Sequence, residues 1–164
     1  MNKKKQFVAA ALAMSVAATV FSGCSGKQTQ EADNGTVKLT WWTQLYPHVA
    51  QTATNFGEVE LYQELSKRTG VELEFIHPTA GQENEQFNIM LSSGDLPDLL
   101  ERDFTKYKGG PQKAIDEKII IEIDEYLDQY SPNYKKVLEE HPDWDKQVMT
   151  DSGKHYTYAW FRGD

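Results

Sequence analysis

The sequence predicts an α/β domain built on parallel strands. Two stretches alternate in polarity along apolar positions Val37, Leu39, Trp41 and Val71, Leu73, Phe75, and each is followed by apolar residues at helical spacing, Val59, Tyr62, Leu65 and Phe87, Met90, Leu91. The resulting order of strand, helix, strand, helix, strand requires parallel pairing through right-handed crossovers. Between Phe87 and Asp103 a helix end, a turn, a short apolar strand and a charged loop follow one another directly. In an open α/β sheet that loop leaves the carboxyl end of a strand, where ligands bind.

The amino terminus stands outside the fold. Lys3, Lys4 and Lys5 precede an apolar and small-residue run from Phe7 to Phe21, the pattern of a secretory signal peptide over residues 1–23. The run is about fifteen residues, short of the roughly twenty that span a bilayer. Val20-Phe21-Ser22-Gly23-Cys24 resembles a bacterial lipobox, which implies that Cys24 is diacylated and anchors the chain to the outer face of the cell membrane. Cys24 is the only cysteine, so an intrachain disulfide and a thiolate metal cluster are both excluded. Residues 24–35 contain no large apolar side chain and read as a flexible tether. Of 17 basic and 25 acidic residues, three lysines and no acid lie in residues 1–23, so the remainder carries 14 basic residues and a net charge of −11. Such a surface argues against nucleic acid as a partner.

The domain proper is expected over residues 36–164. The first strand ends near Thr43, and Leu45 to Gly57 reads as loop. The first helix stops at Gly70 after Lys67-Arg68, and a second strand is closed by His77-Pro78. Gly94 stands where the helix around Phe87 needs a left-handed residue, Pro97 forces extension, and Asp98 to Leu100 form the third strand. Asp95 and Asp98 read as residues that fix this turn. Gly109-Gly110-Pro111 opens another helix whose inward side chains are Ala114 and Ile115. Ile119 to Ile123 reads as a short buried strand or an extended entry. Helices follow at Asp124 to Gln129, from Ser131-Pro132 to about Glu140, and from His141-Pro142 onward. Tyr156, Tyr158 and Trp160 alternate as a last strand, after which Arg162-Gly163-Asp164 ends the chain without a closing helix, so a piece of a longer protein is expected. Three residues match an integrin tripeptide by chance too often to support that reading.

The Lys-rich leader, the Trp41-Trp42 strand end, YQELSKRTGVELEF, SSGDLPDLL, GGPQKAIDEKIIIEIDEYLDQYSPNY and DSGKHYTYAW together resemble family 1 extracellular solute-binding proteins, within the lipoprotein group that serves carbohydrate ABC importers. Ser93 to Leu100 is the most specific of these blocks. The resemblance implies a periplasmic-binding-protein-like (type II) two-lobed fold, of which this chain supplies part of the N-terminal lobe. It also implies capture of an extracellular solute, an oligosaccharide in this group, and delivery to ABC permease subunits, with no cofactor and no reaction on the ligand.

A sugar offers apolar C–H faces and a rim of hydroxyls, so its binder needs aromatic plates beside carboxylate, amide or guanidinium groups. The strand ends supply Trp42 and Gln44, then Glu101, Arg102 and Asp103, then Trp160. These six are the candidate ligand contacts. Each has a plainer alternative. Trp41 shares parity with Val37 and Leu39 and is assigned to the core, which leaves Trp42 for ligand. Glu101 and Asp103 also fit as loop charges, and His77 before a proline fits best as a turn residue. The rival classes are a surface-anchored sensor of the same fold and a glycoside-processing enzyme. The four histidines lack metal-ligand spacing, and HExxH, GxSxG and a glycine-rich phosphate loop are absent from the sequence, so no metal and no cofactor are expected.

Overall fold

The computed structural model describes residues 36–161. The leader, Cys24, the tether up to residue 35 and the terminal Arg162-Gly163-Asp164 lie outside the described residues, and so do the expectations attached to them. Among the described residues no helix is long and apolar enough to cross a membrane.

Strand β1 (Val37–Trp42) lies between β2 (Val71–Ile76) and β3 (Leu99–Leu100) and is parallel to both. Trp41 is opposite Phe75 and Leu99, and Trp42 is opposite Ile76 and Leu100. The crossovers are α1 (Glu60–Thr69) and α2 (Glu83–Ser93). Gly70 and Gly94 end them at φ 71° and 72°, the left-handed conformation that the sequence assigned to Gly94. The inward stripe expected for α1 is only partly realised: Tyr62 packs on Trp41 and Phe75 of the sheet and Val59, at the N-cap, is half-buried, whereas Leu65 is exposed.

Asp98 does more than shape a local turn. Its Oδ2 accepts from the Thr40 N–H at 2.8 Å and from Thr40 Oγ1 at 2.7 Å, while its own N–H donates to Thr40 Oγ1 at 2.9 Å. These three bonds tie the entry of β3 to the middle of β1.

Both faces of the sheet are covered, and this overturns the assignment of the two tryptophans. Trp42, a candidate ligand plate, is 5% exposed and packs with Phe87, Phe104, Ala114 and Tyr156. Trp41, expected as the core residue, is half-buried on the other face against Tyr62 and Phe75, with ring centroids 6.0 and 5.4 Å away. In a parallel sheet clothed on both sides, alternation along a strand does not separate inside from outside.

Beyond β3 the chain forms α3 (Gly110–Asp116), α4 (Asp124–Tyr130), α5 (Pro132–Glu140) and α6 (Pro142–Gln147), each starting within a residue of the expected position, with α4 and α5 also ending within a residue of theirs. Pro111, Pro132 and Pro142 occupy first-turn positions, where a missing N–H costs nothing. Ile119 to Ile123 is turn and coil with Ile123 buried, not a strand. The expected last strand is also absent: His155 makes an isolated bridge with Met149, and residues 156–161 run without a partner strand. Tyr134 takes the place of one, since its Oη accepts from the Ala159 N–H at 2.9 Å and donates to the Thr157 carbonyl at 3.2 Å.

Candidate functional site: the carboxyl edge of the sheet

The ladder continues one residue past the strands. The Thr43 N–H donates to the Ile76 carbonyl at 3.1 Å and the Glu101 N–H to the Trp42 carbonyl at 2.9 Å, which brings Thr43, His77 and Glu101 to a common edge. Alternation then divides the side chains that follow between the two faces of the sheet.

On the face of α1, Glu101 is held by two hydroxyls. Thr43 Oγ1 donates to its Oε2 at 2.6 Å and Tyr46 Oη donates to its Oε1. That bond, with burial behind it, pushes the Tyr46 hydroxyl up to about 12, so it remains a donor throughout the physiological range. Thr43 is fully buried. Its carbonyl lies 2.8 Å from His77 Nδ1, and the Phe56 N–H donates to His77 Nε2 at 3.2 Å. This pair of partners places the His77 proton on Nδ1 and makes the residue the satisfied turn histidine that its position before Pro78 suggested.

On the face of α2, Arg102 lies with its guanidinium carbon 4.2 Å from the Phe87 ring centroid and 5.9 Å from that of Trp42. Its Nη2 donates to Asn84 Oδ1. Beside it, Gln44 Nε2 donates to Glu83 Oε1 at 2.9 Å, and the same oxygen accepts from the Gly81 N–H at 2.9 Å. Backbone N–H groups, chiefly that of Gly81, hold the Glu83 carboxyl below its ordinary range, with a further contribution from the Arg102 charge. On the α2 face the edge thus carries the amide of Gln44, the carboxylate of Glu83 and the guanidinium of Arg102 beside a floor of Trp42 and Phe87, a mixture that suits a polyol with an apolar face, while Glu101 and Tyr46 lie at the same edge on the α1 face. Among the described residues no group of three or more His, Cys, Asp or Glu is placed to hold a metal ion.

Of the six expected contacts, Trp42, Gln44 and Arg102 come together on the α2 face, Trp42 as the buried floor and the other two as the rim, while Glu101 lies at the same edge on the α1 face. Asp103 instead caps the short 3-10 turn Phe104–Lys106: its Oδ1 accepts from the Thr105 N–H at 3.1 Å and it pairs with Lys106 at 3.0 Å. The Thr105 hydroxyl, followed by Lys106, holds its carboxyl below the usual range. Trp160 belongs to another part of the surface. It is 90% exposed, while its neighbour Phe161 stacks on Trp144 and Tyr134 at 5.1 and 5.6 Å.

Tyr46, Glu83 and Asn84 were not among the candidates. Glu83 and Asn84 had a signal: the first turn of a crossover helix lies at the same edge as the strand carboxyl ends, and Glu83 heads the stripe that continues through Phe87 to Met90 and Leu91. Tyr46 had none, because its loop shows no period.

No family profile matches the chain. It is 27% identical over 170 aligned residues to the fructooligosaccharide ABC transporter substrate-binding protein FusA of Streptococcus pneumoniae, covering 96% of this chain and 30% of that protein. The structure of FusA in complex with kestose matches with a TM-score of 0.66 at 28% identity, over 77% of this chain and 25% of that one. The chain is similar to the N-terminal part of ABC-transporter substrate-binding proteins. A human-milk-oligosaccharide-binding solute-binding protein from Bifidobacterium longum infantis shares the fold at a TM-score of 0.54 and 18% identity. The described α/β sheet therefore has the fold of part of a solute-binding protein, and the chain spans about a third of the curated relative it matches.

Proposed function

We propose that this chain is part of the N-terminal lobe of a substrate-binding lipoprotein that captures an oligosaccharide outside the cell and hands it to ABC permease subunits. The observation that carries this reading is the polar rim of Gln44 and Arg102 over the Trp42 and Phe87 floor, with Glu101 at the same edge on the other face, where α/β folds bind ligands. The substrate class is supported by the similarity to a fructooligosaccharide-binding protein across nearly the whole chain. Ligand would be enclosed by hinge closure between two lobes, without chemical change. Cys24 would carry the lipid that keeps the protein at the outer face of the membrane, with residues 25–35 as its tether.

Calorimetry of the full-length protein against kestose, nystose, milk oligosaccharides and unrelated peptides tests the substrate class. Saturable binding of at least one oligosaccharide, with no response to peptides, is the expected result. Binding of peptides alone, or turnover of a sugar, would sink the reading. Anchoring has its own test: metabolic labelling with palmitate should mark the protein and vanish in Cys24→Ser, whereas equal labelling of that variant rules out Cys24 as the lipid site.

A further inference from the structure

We infer that Asn84, with Glu83 beside it, is a positioning residue of the binding rim: the first turn of α2 holds Arg102 and Gln44 in one orientation before ligand arrives. The inference rests on the oligosaccharide reading for its functional consequence, but the holding itself stands on this chain's contacts. A free arginine side chain samples many rotamers, and each side chain that has to be immobilised on binding weakens affinity. Here two constraints act on one guanidinium. The Phe87 ring, its centroid 4.2 Å from the guanidinium carbon, gives the group a surface to rest on, and Asn84 Oδ1, accepting from Nη2, holds one corner of it. Asn84 takes one of the guanidinium N–H groups and leaves the others for a ligand.

Glu83 does the same for Gln44. Its Oε1 accepts from Gln44 Nε2 at 2.9 Å and is itself located by the Gly81 N–H at 2.9 Å, so the free carbonyl oxygen of the Gln44 amide is set as an acceptor. Glu83 and Asn84 are consecutive in α2, and the partners they hold come from the ends of β1 and β3. A single helical turn therefore fixes the spacing of an acceptor and a donor fork contributed by two different strands.

The test uses Asn84→Ala, Asn84→Asp, Arg102→Ala and the double variant Asn84→Ala/Arg102→Ala in the full chain. Side-chain NMR of the ligand-free protein should show resolved Arg102 Nη signals with slow rotation in the wild type, averaged in Asn84→Ala and resolved again in Asn84→Asp. Calorimetry with kestose should show Asn84→Ala weakened about tenfold, Asn84→Asp within about threefold of wild type, and the double variant no weaker than Arg102→Ala alone. Averaged Arg102 signals in the wild type would overturn the inference, as would unchanged affinity in Asn84→Ala or additive losses in the double variant. A wild type that binds no sugar, yet shows Arg102 ordered by Asn84, would remove the oligosaccharide reading and leave the positioning role standing.

Discussion

His155 receives a carboxylate at each ring nitrogen: Asp124 Oδ1 lies 2.7 Å from Nδ1 and Asp145 Oδ1 lies 2.8 Å from Nε2, while the His155 N–H donates to Asp124 Oδ2 at 2.9 Å. Two carboxylates facing one ring are satisfied only by the imidazolium, which donates at both positions. Burial alone would lower the His155 pKa, but the bonds to Asp124 and Asp145 outweigh it and raise the group above its ordinary value. Asp124 is also partly buried, which opposes ionisation, yet its bonds with His155 hold it below the usual range. The charged groups closing the cluster are Lys154, paired with Glu122 at 3.0 Å, and the two aspartates themselves. A raised histidine stabilises fully below its unfolded value of about 6.5 and loses that contribution as pH rises through the folded value. A depressed aspartate stabilises above about 3.9 and loses its contribution as pH falls through the folded value. The node is therefore strongest in mildly acid solution. Denaturation at a series of pH values should show His155→Gln less stable than wild type near pH 6, with the gap narrowing towards pH 9; a gap that does not change with pH would show that the ring acts through packing alone. Tyr46 gives a second readout at this scale. Its phenolate should be the last to appear as pH rises, near 12, and Glu101→Gln should return it to the range of the other tyrosines. Ultraviolet titration of the two proteins measures this directly.

The strand β3 has two residues, too few to hold its place by ladder bonds alone, and Asp98 makes up the deficit through Thr40. Removing that carboxylate in Asp98→Ala leaves the Thr40 N–H and hydroxyl without their acceptor. A loss of about 1–2 kcal/mol is expected from two hydrogen bonds at an exposed position, measured by urea denaturation, and Asp98→Asn should recover part of it. Gly94 is constrained differently: a Cβ there would meet nothing within 4 Å, but its φ of 72° disfavours any L side chain, so Gly94→Ala should cost about 1–2 kcal/mol through backbone strain alone. Gly94 and Pro97 explain why the block from Ser93 to Leu100 was readable in the sequence, since glycine and proline have a local conformational meaning, whereas the tie from Asp98 to Thr40, 58 residues away, was not. Three of the helices after Gly109, α3, α5 and α6, were readable for the same reason, because prolines mark their starts. What was not readable depended on distant partners. Tyr156 to Trp160 alternates like a strand, yet its backbone bonds are taken by the Tyr134 hydroxyl and by Val148, and no periodicity records that. Asp103, read as a ligand contact or a loop charge, caps a 3-10 turn, a role decided by Thr105 two residues on.

At the scale of the molecule, two aromatic assemblies occupy different parts of the described chain. One lies across the sheet, where Trp42, Phe87 and Phe104 fill one face and Trp41, Tyr62, Phe75 and Phe56 the other, and it supports the rim from below. The second joins α5 and α6 to the final segment, with His141 stacked on Trp144 at 3.8 Å, Trp144 on Phe161, and Phe161 on Tyr134. Trp160 stands out from this second assembly. Alternation turns Phe161 inward and leaves the indole of Trp160 in water, while the Ala159 N–H bond to Tyr134 fixes the backbone beside it. With only two side-chain torsions, an exposed indole has little conformational freedom to lose on contact, which favours it as a stacking plate. If Trp160 meets the sugar that the rim binds, Trp160→Ala should weaken oligosaccharide affinity about tenfold without changing thermal stability, and bound sugar should shield an accessible tryptophan from acrylamide in the wild type but not in the variant. Trp42, sealed beneath Arg102, should be little quenched in either protein. Unchanged affinity with unchanged quenching would confine sugar recognition to the rim and leave Trp160 as a surface residue of the α5–α6 assembly.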